Sequence, residues 1–156
     1  MAQAVAVVNA TLTQTGGGTT DITSSGFGTP TAAIVIVSNA NSTNNPQTGA
    51  GQSIGFWDGT NQCCHSVYAS DAVGTTATWR IQRNDYIATI PQSTTSWLVG
   101  YAASGITDGI RLTLNVDNTG AQRYATVILL KGISAKITRL VLNSTVSDTA
   151  TTGSLG

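Results

Sequence analysis

The sequence predicts an all-β protein, an antiparallel β-sandwich or jelly roll of about ten strands with no substantial helix, and three observations carry that prediction. The chain of 156 residues holds 26 Thr, 14 Ser, 10 Asn and 17 Gly, residue types that favour strands and turns over helices. All seven acidic residues are Asp, none is Glu, and 9% of residues are charged, so the usual helix-surface alphabet is largely missing. Apolar runs of strand length recur between turn signals, and no window shows a 3.6-residue apolar period flanked by caps; at most a single helical turn is expected.

In chain order, the first run covers 4–14 and ends at Gly16-Gly17-Gly18. The second, 32–38, contains the continuous apolar stretch Ile34-Val35-Ile36-Val37, which reads as a central strand buried on both sides. After the polar stretch Asn39 to Gly51 comes 52–57, which Phe56-Trp57-Asp58-Gly59-Thr60 turns as a hairpin into 63–69, because Asp-Gly tolerates the positive φ of tight turns. Asp71 to Thr76 leads to strands at 76–83 and 85–91, and Pro91 to Ser96 to a strand at 97–103. Asp108-Gly109 introduces 108–116, and Asp117-Asn118-Thr119-Gly120 introduces 122–131. There Val127-Ile128-Leu129-Leu130 reads as a second doubly buried strand, and a last strand is expected at 136–143. Ile36 and Leu129 are therefore core positions in this reading, where an Asp should abolish folding.

Length fits one domain or one domain plus the start of another, with 1–133 as the sandwich and 134–156 as a C-terminal strand and tail, the start of a second repeat or a strand-exchange or linker segment. Seven bases and seven acids cancel, so there is no basic footprint for nucleic acid. No stretch reaches the roughly 18 consecutive apolar residues a membrane helix needs, and Met1-Ala2-Gln3 does not begin a secretory signal. The expectation is a protein that partners neither nucleic acid nor membrane. A neutral, charge-poor surface gives little protection against self-association and suits a subunit of an assembly. The charges are also segregated: residues 1–79 carry Asp21, Asp58 and Asp71 and no base, whereas all seven bases lie within 80–139, so acidic and basic faces of neighbouring copies could set their register.

One internal similarity stands out. Val7-Val8-Asn9-Ala10-Thr11-Leu12-Thr13 matches Val141-Leu142-Asn143-Ser144-Thr145-Val146-Ser147 with three identities and four conservative pairs, and both precede a Thr/Ser/Gly segment, ending in Ser25-Gly26-Phe27-Gly28 and in Gly153-Ser154-Leu155-Gly156. Two Thr-rich strands can match by composition. Alternatively, a second repeat begins here, or the C-terminal segment imitates the first strand and can take its place in a neighbour.

Chemical motifs point away from catalysis. Gly51-Gln52-Ser53-Ile54-Gly55 is formally G-x-S-x-G, but a nucleophile elbow needs Ser53 between a parallel strand and a helix, with an acid and then a histidine later in the chain. His65 is the single histidine, and it lies in the partner strand of the hairpin. Cys63-Cys64-His65 lacks the further ligands that zinc requires, and adjacent strand residues face opposite ways. One cysteine is expected in the core and the other at the surface or an interface, with an inter-subunit disulfide, a vicinal disulfide or a metal contact as alternatives. No catalytic, cofactor-binding or metal residue is assigned. The three N-x-S/T sequons at Asn9, Asn41 and Asn143 are what this composition yields by chance. Trp57, Trp79, Trp97, Tyr68, Tyr86, Tyr101 and Tyr124 could stack sugars, but their spread over separate strands favours core and interface packing.

The order Thr20-Asp21-Ile22-Thr23, Gly26-Phe27-Gly28-Thr29-Pro30-Thr31-Ala32-Ala33-Ile34, Ile54-Gly55-Phe56-Trp57-Asp58-Gly59, Asp108-Gly109-Ile110-Arg111-Leu112-Thr113 and Ala125-Thr126-Val127-Ile128-Leu129-Leu130 resembles a β-sandwich domain of tailed-bacteriophage virion proteins. The likeness covers residues 11 to 132, with Gly28-Thr29 loosening the first turn, Thr31 where a Lys is common and Ile110 in place of the usual Phe. It implies a non-enzymatic structural protein located in the virion, a capsid decoration protein or a tail or fibre component. Such a subunit would partner copies of itself, as a homo-oligomer, and other virion proteins. The alternative is a receptor-binding module on a phage fibre that takes a host surface glycan.

Overall fold

The computed structural model describes residues 2–40, 50–70, 77–91, 97–118 and 120–137. Within them ten strands form two antiparallel sheets, and no helix is present. The strands are β1 (Ala4–Leu12), β2 (Thr19–Thr23), β3 (Ala32–Ser38), β4 (Ala50–Trp57), β5 (Gln62–Ser70), β6 (Ala77–Arg83), β7 (Ala88–Pro91), β8 (Trp97–Ile106), β9 (Gly109–Asp117) and β10 (Arg123–Lys131). The six-stranded sheet runs β1-β10-β3-β4-β5-β6 and the four-stranded sheet β2-β9-β8-β7. Their facing sides bury one mainly aliphatic core, with Val35, Val37, Val127 and Leu129 from the larger sheet set against Ile90, Tyr101, Leu112 and Leu114 from the smaller. This is a β-sandwich, as expected.

Nine of the expected strands are found, β3 with the expected ends and the other eight with ends shifted by one to three residues. The differences have local causes. The strand expected at 85–91 begins only at Ala88, and the first strand stops at Leu12 rather than at residue 14. β2 was not expected: Thr19-Thr20-Asp21-Ile22-Thr23 has one large apolar residue and reads as loop. It becomes a strand because Ile22 drops into the core and Asp21 pairs across the ladder with Arg111. Residues 136 and 137, where the last strand is expected to begin, form no strand, and the rest of 136–143 lies outside the described residues. So do Asn41, Asn143 and Val141–Ser147, while Val7–Leu12 of the N-terminal match falls on β1, an edge strand, and Thr13 follows it.

β3 and β10 are central in their sheet, but they are not buried on both sides. A two-layer sandwich has one interior, so Val35, Val37, Val127 and Leu129 are buried while Ile34, Ile36, Ile128 and Leu130 point outward and are only half-buried. Continuous apolar runs report two apolar faces; the second face here is turned to the outside.

After β10 the chain reverses at Gly132 (φ 69°) and lays residues 133–137 over one end of that outer face. Thr31 Oγ1–H donates to the Ile133 carbonyl at 2.8 Å, and Ile137 N–H donates to Asp58 Oδ2 at 3.0 Å.

Candidate functional site

The G-x-S-x-G serine sits inside the sandwich. Ser53 is fully buried, and its Oγ accepts from Ser66 Oγ–H at 2.8 Å and from Thr89 N–H at 3.1 Å. Thr89 Oγ1 lies 3.0 Å from Ser66 Oγ and 3.5 Å from Cys64 Sγ, completing a buried chain of small polar groups that ties β4 and β5 to β7. The motif's glycines are packing residues: a Cβ on Gly55 would fall 1.5 Å from the Ile87 carbonyl oxygen, and one on Gly51 2.7 Å from Asn39 Cβ. His65 points to the opposite, outer face of the same sheet, so Ser53 and His65 are not brought together.

Cys63 and Cys64 are both free thiols on opposite faces. Cys64 is buried in the polar chain just described. Cys63 is half-exposed beside Phe56, and burial, helped by the neighbouring Cys64 and Asp58, pushes its thiol up. Among the described residues no group of three His, Cys, Asp or Glu side chains could hold a metal ion.

Much of the charge is consumed within the subunit. Arg111 Nε and Nη2 grip Asp21 at 2.6 and 2.8 Å, joining an acid of the first half to a base of the second and holding the Asp21 carboxyl below its usual range. Arg83 forms the same fork on Asp85 while lying 5.2 Å over the Tyr86 ring. Lys131 Nζ–H donates to the Phe27 carbonyl at 2.7 Å. The aromatic residues do not share a surface. Trp57 and Tyr101 are in the core, and burial drives the Tyr101 hydroxyl up to about 12 against the pull of Arg123. Tyr68 and Trp79 stack on each other with centroids 5.8 Å apart, Tyr124 points outward from β10, and the Trp97 side chain lies outside the described residues.

What remains is the outer face of the six-stranded sheet. Among the described residues the five exposed large apolar side chains all stand on it: Val5 (60% exposed), Val7 (63%), Ile54 (38%), Phe56 (39%) and Val67 (51%). The ladder register lines them up with the half-buried ones, in a row Val7-Ile128-Ile34-Phe56-Cys63 and a row Asn9-Thr126-Ile36-Ile54-His65-Gln82. A third row, Thr11-Tyr124-Ser38-Gln52-Val67-Arg80, borders them; Thr11, Tyr124, Ser38 and Gln52 both donate and accept hydrogen bonds, and Arg80 donates. Three shallow hollows of about 460, 430 and 370 Å³ lie along this face, the last roofed by Ala135, Lys136 and Ile137. The outer side of the four-stranded sheet differs: its rows read Asp21-Arg111-Ser104 and Thr19-Thr113-Ala102. The sequence reading missed this face because it assigned Ile34, Ile36, Ile128 and Leu130 to the interior. The signal was present, since a strand apolar at successive positions must offer one apolar side to each direction.

The architecture is that of a two-sheet antiparallel β-sandwich. Neither a known protein family, nor a curated protein, nor a solved structure matches the chain.

Proposed function

We propose that this chain is a structural subunit of a bacteriophage particle, a capsid decoration or cement protein or a tail or fibre component, whose work is to bind neighbours through neutral polar and apolar surfaces. The observation that carries the reading is the concentration of every exposed large apolar side chain of the described residues on one sheet face. The residue patterns that resemble phage virion sandwiches, and a formal charge of zero, support it. The test is to purify particles from phage carrying the coding sequence, with and without that sequence intact. The protein should be found in the particle by mass spectrometry, and its loss should lower capsid or tail integrity in negative-stain images. Absence from purified particles overturns the reading. Intact particles that no longer adsorb to cells favour the receptor- or glycan-binding alternative instead.

A further inference from the structure

We infer that the outer face of the six-stranded sheet is covered by the same face of a second copy, in a two-fold, sheet-on-sheet dimer. The inference deepens the assembly reading above by naming the partner of that surface, and three observations select a second copy.

The first is size. Five inter-strand gaps of about 4.8 Å and up to four outward residues per strand at about 6.8 Å outline a face of roughly 24 by 20 Å. Two such faces pressed together remove on the order of 1,000 Å², the size a specific interface has to reach. A single extended segment is too narrow for that face, because its exposed apolar side chains run from Val5 on β1 to Val67 on β5, four strand spacings or about 19 Å apart. Residues 133–137 roof one end only.

The second is charge. Arg80, at the β6 margin, is the one formal charge among the outward side chains of the described strands of this sheet. A two-fold axis along the strand direction, between β3 and β4, sets β6 of each copy over β1 of the other. The two arginines then stay apart and meet Asn9 and Thr11, which accept hydrogen bonds. The third is self-complementarity. The band is apolar at its centre and bordered by Asn, Gln, Thr and Tyr, groups that can pair with copies of themselves.

The test uses the full chain in sedimentation equilibrium. A dimer is expected, and Val7→Asp combined with Val67→Asp should weaken it by about 100-fold or more, as an uncompensated buried charge does. At concentrations where the parent is monomeric, the unfolding transition should stay in place, because both side chains are exposed in the subunit. Ser104→Asp on the other sheet should change neither. In a Cys63→Ser background, Ile36→Cys mixed with Ile54→Cys should cross-link into a heterodimer on oxidation, since the axis brings β3 of one copy over β4 of the other. A full chain that remains monomeric at about 100 μM, or an unchanged dissociation constant in the double Asp variant, overturns the inference. So does a chain that dimerises only after residues 138–156 are removed, for its own C-terminal segment would then be the occupant. A dimer that is absent from phage particles leaves this inference standing and fails the virion reading; a virion protein without this contact does the reverse.

Discussion

Asp108 Oδ1 accepts the Gly28 backbone N–H at 2.5 Å, joining the turn between β8 and β9 to the loop that feeds β3, 80 residues earlier in the chain. Its other oxygen accepts Gly26 N–H at 3.2 Å, and its carbonyl accepts Ser24 N–H at 2.9 Å. Asp108 itself adopts φ 64°, a left-handed conformation that Asp and Asn tolerate better than most residues. One side chain therefore sets a hairpin and clamps a distant loop. Asp108→Ala should cost about 2–3 kcal/mol through the lost acceptors and the φ strain, and Asp108→Asn about 1 kcal/mol. Urea denaturation checks the order; an Ala variant as stable as the parent refutes the clamp.

Gly55→Ala should be among the most damaging single-methyl changes in the chain. Its Cβ would fall 1.5 Å from the Ile87 carbonyl oxygen and 2.6 Å from the carbonyl carbon, and backbone cannot swing aside as a flexible side chain can. The sheets would have to part at the place where Ser53, Ser66 and Thr89 bond across them. A loss of several kcal/mol, or insoluble protein, is expected. A variant melting within a few degrees of the parent would show that the sheets part here at little cost.

The strands were legible in the sequence where turn chemistry bounded an apolar run, and less so where a partner strand decides. Asp58-Gly59 does turn a hairpin, with Gly59 at φ 94°. At Asp108-Gly109 the positive φ belongs to the Asp, and the glycine is required because a Cβ there would lie 2.0 Å from the Ile22 carbonyl. That contact depends on β2, a strand whose own residues do not announce it. The candidate face was hidden for a related reason: Ile34 to Val37 states that both sides of β3 are apolar, but only the number of layers states that one of them is uncovered.

Ile36→Asp and Leu129→Asp should now behave differently, against the expectation that both abolish folding. Leu129 is fully buried between the sheets, so an Asp there is an unpaired interior charge costing several kcal/mol. Ile36 points outward beside Thr126 and Ile54, where a carboxylate keeps water. Insoluble Leu129→Asp beside a folded, cooperatively melting Ile36→Asp is the expected pair of results. Failure of both to fold would put Ile36 back in the core.

Self-association through an apolar face should survive salt. At about 1 M ionic strength the Debye length is about 3 Å, which silences exposed ion pairs and leaves apolar contact intact or strengthened. Sedimentation at low and high salt should give dissociation constants within about threefold of one another. Dissociation on adding salt would point instead to the segregated acids and bases, even though Asp21 and Arg111 already neutralise each other inside the subunit.

Asp58 gives the fold a pH-dependent lock on its C-terminal segment. Partial burial works against its ionisation, but N–H donors from Ile137, Asn61 and Thr60 and the Asn61 amide outweigh it, bringing the carboxyl from 3.8 down to about 2. A carboxyl whose value is lower in the folded chain stabilises above its unfolded value and loses that contribution as pH falls through the folded one. The window is therefore pH 4 down to about 2. The contribution is about 1 kcal/mol once solvent screening at this loop is allowed for. Asp58→Asn should lower the melting temperature by a few degrees at pH 7, and the gap from the parent should close as pH falls from about 5 to about 2, since both then carry a neutral side chain. Ending the chain at residue 137 with an amidated terminus should keep the parent's acid profile, because Ile137 N–H is retained and no new carboxylate is placed beside Asp58. Ending it at 133 removes that donor and should narrow the acid-sensitive part of the profile. A gap between Asp58→Asn and the parent that stays constant across the window would show that the carboxylate's charge contributes nothing to holding this segment.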